Sequence, residues 1–393
     1  MNNTPNANRV HIGIFGKRNV GKSSLINALT GQDIAVVSDV KGTTTDPVFK
    51  AMELLPLGPV VIIDTPGIDD LGVLGEMRVK QAYKALNRCN LVILVSQGLT
   101  KEDEDFINLL KEKEIPYISV YNKADLTDSR QEEFVYVSTK TGEGITELKE
   151  LIAKTAKSED DNPIISDLLT KDDIVILVCP IDEAAPKGRI ILPQQQVLRE
   201  VLDVHAKAVV IQDSEVSETL ALLNKKPRFV ITDSQAFASV SRQVPENIPL
   251  TSFSILLARK RGWLKTAYEG AKALNTLEDG DLVLISEGCT HHRQCNDIGT
   301  VKIPALIKKT TGKNIIFDFT QGHSYEEDLS KYKLIVHCGG CMISEREVEV
   351  RRQRAQMQNI PFTNYGITIA YIHGILKRSL EPFPQVLELL DET

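Results

Sequence analysis

Two sets of residues in this chain have types and spacings that can do chemistry. The first is Gly16-Lys17-Arg18-Asn19-Val20-Gly21-Lys22-Ser23, followed by Ser24. Two glycines separated by four residues let the backbone curl until its N–H groups converge on an anion. Lys22 can then bridge β and γ phosphates, and Ser23 can ligate magnesium. The second set is Cys289-Thr290-His291 and, after a long gap, His337-Cys338-Gly339-Gly340-Cys341. Cys338 and Cys341 flank a flexible glycine pair, so both sulfurs can reach one metal centre, with Cys289 as a third donor. That spacing is compatible with tetrahedral zinc, with an iron–sulfur cluster or with reduced buried thiols, and does not choose among them.

Further motifs arrive in the order a guanine-nucleotide site needs. Asp64-Thr65-Pro66-Gly67 can hold magnesium through a water with Asp64, while the Gly67 N–H meets the γ-phosphate. Asn122-Lys123-Ala124-Asp125 supplies a carboxylate, Asp125, able to accept both N–H groups on the guanine edge. Adenine lacks that donor pair, so GTP and GDP are the expected nucleotides. Ser138-Thr139-Lys140 is a candidate for the remaining guanine-contacting loop.

The elements that must position these residues follow from apolar periodicity. Short apolar runs at 10–15, 60–63, 91–95 and 118–121 alternate with helix-length segments, which predicts a parallel sheet flanked by helices. The phosphate loop follows the first of these strands and opens a helix. A polar stretch at 158–163 reads as a linker. Beyond it, strands at 174–178, 209–211 and 229–232 and helices at 194–203 and 215–223 predict a smaller α/β domain. One helix is expected from 253 to 274, then strands at 281–285 and 334–336, each running into a cysteine motif. The charged helix at 344–358 reads as a solvated face. The expected domains are 1–160, 168–258 and 259–393, and no internal repeat is expected.

Bulk properties narrow the classes. Hydrophobic residues make up 42% and charged residues 25%, a globular balance, and a net charge of −7 gives no general attraction to nucleic acid or anionic membrane. No signal-like or membrane-spanning apolar run is read, so a cytoplasmic protein is expected. Cys89 and Cys179, isolated beside apolar strands, read as core residues. His292, Cys295, His323 and His373 read as structural or exposed.

Ser38-Asp39-Val40-Lys41-Gly42-Thr43-Thr44-Thr45-Asp46 resembles switch I of TrmE-Era GTPases. The resemblance implies Thr44 as a magnesium ligand beside Ser23 and Asp64. It also implies a potassium ion at Asn19 and backbone carbonyls near Ser38 and Val40, in the space of an arginine finger. Ile68 stands where Ras-like proteins carry the glutamine that orients water, so unassisted hydrolysis should be slow. Behind that domain, Cys-x-His, a long gap and His-Cys-x-x-Cys together resemble the HydF family of FeFe-hydrogenase maturation GTPases. The middle segments Cys179-Pro180-Ile181-Asp182, Pro186-Lys187-Gly188-Arg189 and Ile191-Leu192-Pro193-Gln194 share the resemblance.

Membership would imply a P-loop GTPase domain with a parallel-rich sheet, a small α/β dimerisation domain and an α/β iron–sulfur domain. It would imply a 4Fe-4S cluster on Cys289, Cys338 and Cys341, with His291, His337, Asp297 or an exchangeable exogenous ligand at the fourth position. It would further imply a homodimer or higher oligomer that takes a two-iron H-cluster precursor from the radical-enzyme maturases HydE and HydG and passes it to FeFe-hydrogenase. The competing readings are a TrmE-Era-like GTPase acting on RNA or ribosomal particles with a zinc-binding C-terminal domain, and a redox enzyme. The acidic balance and the lack of a recognisable RNA module weigh against the first.

Overall fold

A computed structural model of the chain describes residues 4–31, 47–69, 73–156, 162–181, 190–288, 297–383 and 386. Ser38, Val40, Thr44, Cys289, His291, His292 and Cys295 lie outside the described residues. The chain divides into two compact units, Met1–Asp160 with Ser344–Glu347, and Asp161–Ile343 with Val348–Thr393.

The first unit is built on six strands, β1 (Val10–Phe15), β2 (Val48–Leu54), β3 (Gly58–Asp64), β4 (Leu91–Ser96), β5 (Tyr117–Asn122) and β6 (Val135–Val137). Their order is β2-β3-β1-β4-β5-β6. Only β2 runs antiparallel, against β3. Side chains alternate between the faces of a strand, and both faces here are covered. Ile12, Ile14, Val60, Ile62 and Ile93 pack on one side, Phe15, Val61, Ile63, Val92 and Leu94 on the other. Because β1, β3 and β5 are parallel, the loops leaving them emerge at one edge of the sheet, where open α/β sheets bind ligands.

The second unit holds two four-stranded sheets. One contains β7 (Ile174–Val178), β8 (Lys207–Ile211), β9 (Phe229–Thr232) and β10 (Leu250–Ser252). The other contains β11 (Leu282–Glu287), β12 (Ile316–Gln321), β13 (Leu334–His337) and β14 (Phe362–Asn364). Their orders are β10-β9-β7-β8 and β12-β11-β13-β14, every pair parallel. In each, the first strand has the second on one side and the third, then the fourth, on the other.

The registers also match. Val175 faces Phe229 as Val283 faces Leu334, Val178 faces Ile211 as Ser286 faces Thr320, and Thr232 faces Ser252 as His337 faces Asn364. Both fourth strands then enter a helix capped by their own last side chain, Ser252 to the Ile255 N–H and Asn364 to the Ile367 N–H. Each helix ends at a left-handed glycine, Gly262 at φ +72° and Gly374 at φ +69°. The same backbone bond follows in both, Trp263 N–H to Ala258 O and Ile375 N–H to Ala370 O.

The second unit is therefore a tandem repeat of one α/β motif, which overturns the expectation of no repeat. Through the last strand and helix, 249–265 and 361–377 align without a gap, sharing Pro249 and Pro361, Thr251 and Thr363, Ile255 and Ile367, Ala258 and Ala370, and Gly262 and Gly374. Elsewhere register and caps persist while side-chain identities diverge, because a buried parallel strand needs only apolar residues of suitable size. Gly262 also explains why the single helix expected over 253–274 is two, Phe253–Lys260 and Leu264–Lys272.

The copies exchange their last helices. Leu264–Lys272 packs on β14, where Thr363 Oγ1 donates to Ala267 O at 2.8 Å and a side chain at Gly270 would strike the Phe362 carbonyl oxygen at 2.2 Å. In return, Arg378 of the Leu376–Leu380 helix donates to Val244 O at 2.9 Å, in the segment entering β10. One continuous buried cluster, from Ile164 to Val386, runs through both copies. No described helix is long and apolar enough to cross a membrane.

Candidate functional sites

The nucleotide site forms on the β1, β3 and β5 edge. Gly16 and Gly21 take φ values of +143° and +94°, and neither has room for a side chain: a Cβ would come 2.1 Å from Val95 O and from Asn122 Nδ2 respectively. Asn19, at φ +60°, is among the few residue types that tolerate the left-handed region. Lys22 opens the Lys22–Thr30 helix and folds its ammonium back over the loop, donating to Gly16 O at 2.9 Å and Lys17 O at 2.7 Å. Ser23 Oγ reaches Asp64 Oδ2 at 3.5 Å, and Ser24 continues the first helical turn.

Asp64 is buried, which raises its carboxyl above the usual range, and its Oδ1 has no hydrogen-bond partner in the protein. An orphaned buried carboxylate oxygen beside a serine hydroxyl fits a magnesium ion reached directly or through water. At the base end, Asn122 Nδ2 donates to Val20 O at 3.0 Å, and Lys123, at φ +63°, extends its ammonium to Asn19 O at 3.4 Å. Asp125 is exposed and accepts from Ser138 Oγ at 2.7 Å. Ser138 is fully buried and leads into a turn with Thr139 and Lys140, closed by Gly142 N–H to Ser138 O at 2.9 Å. Thus Gly16, Asn19, Val20, Gly21, Lys22, Ser23, Asp64, Gly67, Asn122, Lys123, Asp125 and Ser138 assemble at one sheet edge.

Sequence reasoning passed over Asp69 and Arg18. Asp69 Oδ1 accepts from the Arg18 N–H at 2.8 Å, Ile68 N–H donates to Gly16 O at 3.3 Å, and a side chain at Gly67 would strike Arg18 Cγ at 2.4 Å. The phosphate loop and the segment after β3 are latched together there. Residue types alone did not flag the pair, because only folding brings the Arg18 N–H opposite Asp69.

The cysteine site forms where β11 and β13 end side by side, Ser286 facing His337. Cys338 Sγ accepts from Gly288 N–H at 3.0 Å and Gly340 N–H at 3.3 Å, so the residue preceding Cys289 is held against the Cys338–Cys341 loop. Burial pushes the Cys338 thiol up, opposed by those two amides, and pushes Cys341 up to about 11. Amide donors aimed at a sulfur suit a thiolate ligand, and the strand pair is the switch point of its sheet, so the donor set fits a cysteine-ligated metal or cluster. Among the described residues no group of three or more metal-binding side chains is found.

The two described candidates for the fourth ligand have other engagements. His337 is fully buried, with Nδ1 against Cys338 O at 2.6 Å and Nε2 against Arg351 Nη1 at 3.3 Å. Asp297 Oδ2 accepts from the Thr300 N–H at 2.8 Å and hydroxyl at 2.9 Å, capping the turn that follows. Arg351, read from sequence as part of a solvated face, is 2% exposed and also donates to Ser286 Oγ and Gly322 O. Its burial left no trace in a helix otherwise crowded with charge. Cys89 and Cys179 are buried thiols whose burial raises them to about 12 and about 11.

Comparison with known proteins agrees with this division. Residues 11–123 match the family model for a 50S ribosome-binding GTPase, which makes the first unit a P-loop GTPase domain. Residues 164–262 match the hydrogen maturase F dimerization domain and 265–382 the hydrogen maturase F tetramerization domain. With those two models spanning more than half its length, the chain belongs to the hydrogen maturase F family.

Curated relatives match over a length close to that of the GTPase unit. The tRNA modification GTPase MnmE of Nitrosomonas eutropha is 38% identical over 37% of this chain and 34% of its own length. That of Legionella pneumophila is 41% identical over 35% and 33%. The chain thus spans about a third of the length of the curated relatives it matches. Similar solved structures include Era with MgGDPNP and a 16S ribosomal RNA fragment, at 21% identity over 52% of this chain and 93% of that one, TM-score 0.35. A single-residue variant of Aquifex aeolicus Era bound to GDP.AlF4- shows 20% identity over 59% and 97%, also TM-score 0.35.

Proposed function

We propose that this protein is a GTP-hydrolysing scaffold that holds a 4Fe-4S cluster on Cys289, Cys338 and Cys341 and delivers a two-iron H-cluster precursor to FeFe-hydrogenase. The observation that carries the cluster reading is the Gly288 N–H to Cys338 Sγ bond at 3.0 Å, which tethers the attachment point of Cys289 to the Cys-x-x-Cys loop. With both nitrogens of His337 engaged and Asp297 capping its own turn, the fourth position is left to His291 or to an exchangeable exogenous ligand, the latter as suits a carrier. The cluster, when bound, supplies an open iron coordination site for the cargo. Homodimerisation and exchange with the maturases HydE and HydG rest on family membership.

In the nucleotide site, Ser23, Thr44 and Asp64 would hold magnesium, which neutralises charge on the β and γ phosphates. Lys22 is already poised over the loop to meet those phosphates, and Asp125 selects guanine. Asn19 and carbonyls near Ser38 and Val40 would hold potassium. Release of the γ-phosphate frees the Gly67 segment, and the Asp69 latch transmits that change to the phosphate loop.

Anaerobic purification and reconstitution, followed by iron, sulfide and zinc analysis, tests the reading. Near-stoichiometric iron and sulfide with a sulfur-to-iron absorption band is the expected result. A colourless, zinc-loaded protein copurifying with RNA would instead favour a GTPase of RNA or ribosomal particles.

A further inference from the structure

The Cys338–Cys341 loop is held by a residue from the other copy of the repeat. Arg261 sits in the turn between the Phe253–Lys260 and Leu264–Lys272 helices, its backbone path set by left-handed Gly262. Its guanidinium forks across the loop, Nη1 donating to Gly339 O at 2.6 Å and Nη2 to Gly340 O at 3.2 Å. Gly340 is left-handed at φ +63°, and a Cβ there would come 2.8 Å from Val348 Cγ2 and 3.1 Å from Arg261 Nη1. The loop is therefore fixed by a glycine that cannot be enlarged and by a planar fork matched to two successive carbonyls, a geometry lysine does not supply.

Arg261 also brings a positive charge against the loop that carries Cys338 and Cys341. That charge comes from the first copy, whereas the loop belongs to the second. At the position matching Arg261 the second copy has His373, so the clamp runs in one direction only.

We propose that Arg261 is the positioning residue of the cluster loop, through which the dimerization-domain copy fixes the two thiolates and sets the electrostatics of the metal centre in the tetramerization-domain copy. The proposal rests on the cluster reading above. Removing a residue that orients metal ligands typically costs roughly 10- to 100-fold in metal affinity. Removing a positive charge beside a cluster disfavours its reduced form.

The test uses the full chain as R261Q and R261K, reconstituted anaerobically beside the unaltered protein. Metal release to a chelator, reduction potential and GTP turnover are measured. R261Q is expected to release iron roughly tenfold faster or more, with a potential shifted negative and GTP turnover unchanged. R261K keeps the charge without the fork and is expected to restore the potential but not the slow release. G340A crowds the loop against Val348 and the Arg261 fork without removing the charge, and should also speed release. Wild-type release and potential in R261Q would overturn the proposal, as would a potential that falls equally in R261Q and R261K. If the unaltered chain takes up zinc and no iron, the cluster reading fails. The clamp is then judged on zinc release alone, and R261Q releasing zinc at the unaltered rate would overturn it.

Discussion

Lys22 lies against two carbonyls of its own loop, a resting geometry that a triphosphate would displace. Lys22→Ala is expected to abolish GTP hydrolysis while leaving iron content intact, because the cysteines belong to the other compact unit. Hydrolysis near the unaltered rate would remove the P-loop assignment. Gly21 is as restrictive, since its φ of +94° and the nearby Asn122 amide exclude a side chain. Gly21→Ala should weaken GTP binding by roughly ten- to a hundredfold, from backbone strain of about 1–3 kcal/mol, and titration with a fluorescent GTP analogue checks it. Asn19 motivates a third expectation: hydrolysis in potassium chloride exceeds that in sodium chloride at equal ionic strength. Equal rates would eliminate the potassium site. Residue types at fixed spacing made the nucleotide site legible in the sequence. Asp69 and Arg351 were not legible in that way, because their roles are set by which backbone N–H or buried ring lies opposite them after folding.

At the scale of elements, the β1, β3 and β5 edge followed from strand runs each ending in a motif, since buried parallel strands are uniformly apolar and easily found. β2, β6, β10, β12 and β14 were missed because edge or short strands lack that signature: Val48 and Phe49 on β2 and Ile316 and Phe319 on β12 are exposed, and β6, β10 and β14 are three residues each. The repeat was hidden for a related reason. Its copies preserve register and caps throughout, but residue identity survives only in the short segments 249–265 and 361–377, too little to stand out along the chain. The exchanged helix offers a direct check. Gly270→Ala drives a methyl into the Phe362 backbone and is expected to cost about 1–3 kcal/mol. For a unit of this size that lowers the melting midpoint by roughly 2–12 °C, and GTP turnover at 25 °C should not change. An unaltered midpoint would show that the Leu264–Lys272 helix does not pack closely on β14.

Across the whole molecule, a nucleotide switch precedes a duplicated α/β motif of which one copy carries the cysteines and the other the arginine that holds them. The family models divide the chain at 262–265, immediately after that arginine. The central claim is that Cys289, Cys338 and Cys341 together hold an iron–sulfur cluster. Individual Cys→Ser variants at 89, 179, 289, 295, 338 and 341 should be reconstituted anaerobically, and iron content and the reduced-state electron paramagnetic resonance spectrum compared. Loss of both signals is expected for Cys289→Ser, Cys338→Ser and Cys341→Ser, with unaltered spectra for Cys89→Ser, Cys179→Ser and Cys295→Ser. A wild-type spectrum from Cys289→Ser together with its loss in Cys295→Ser would contradict the ligand set, and zinc without iron in every variant would contradict the cluster itself.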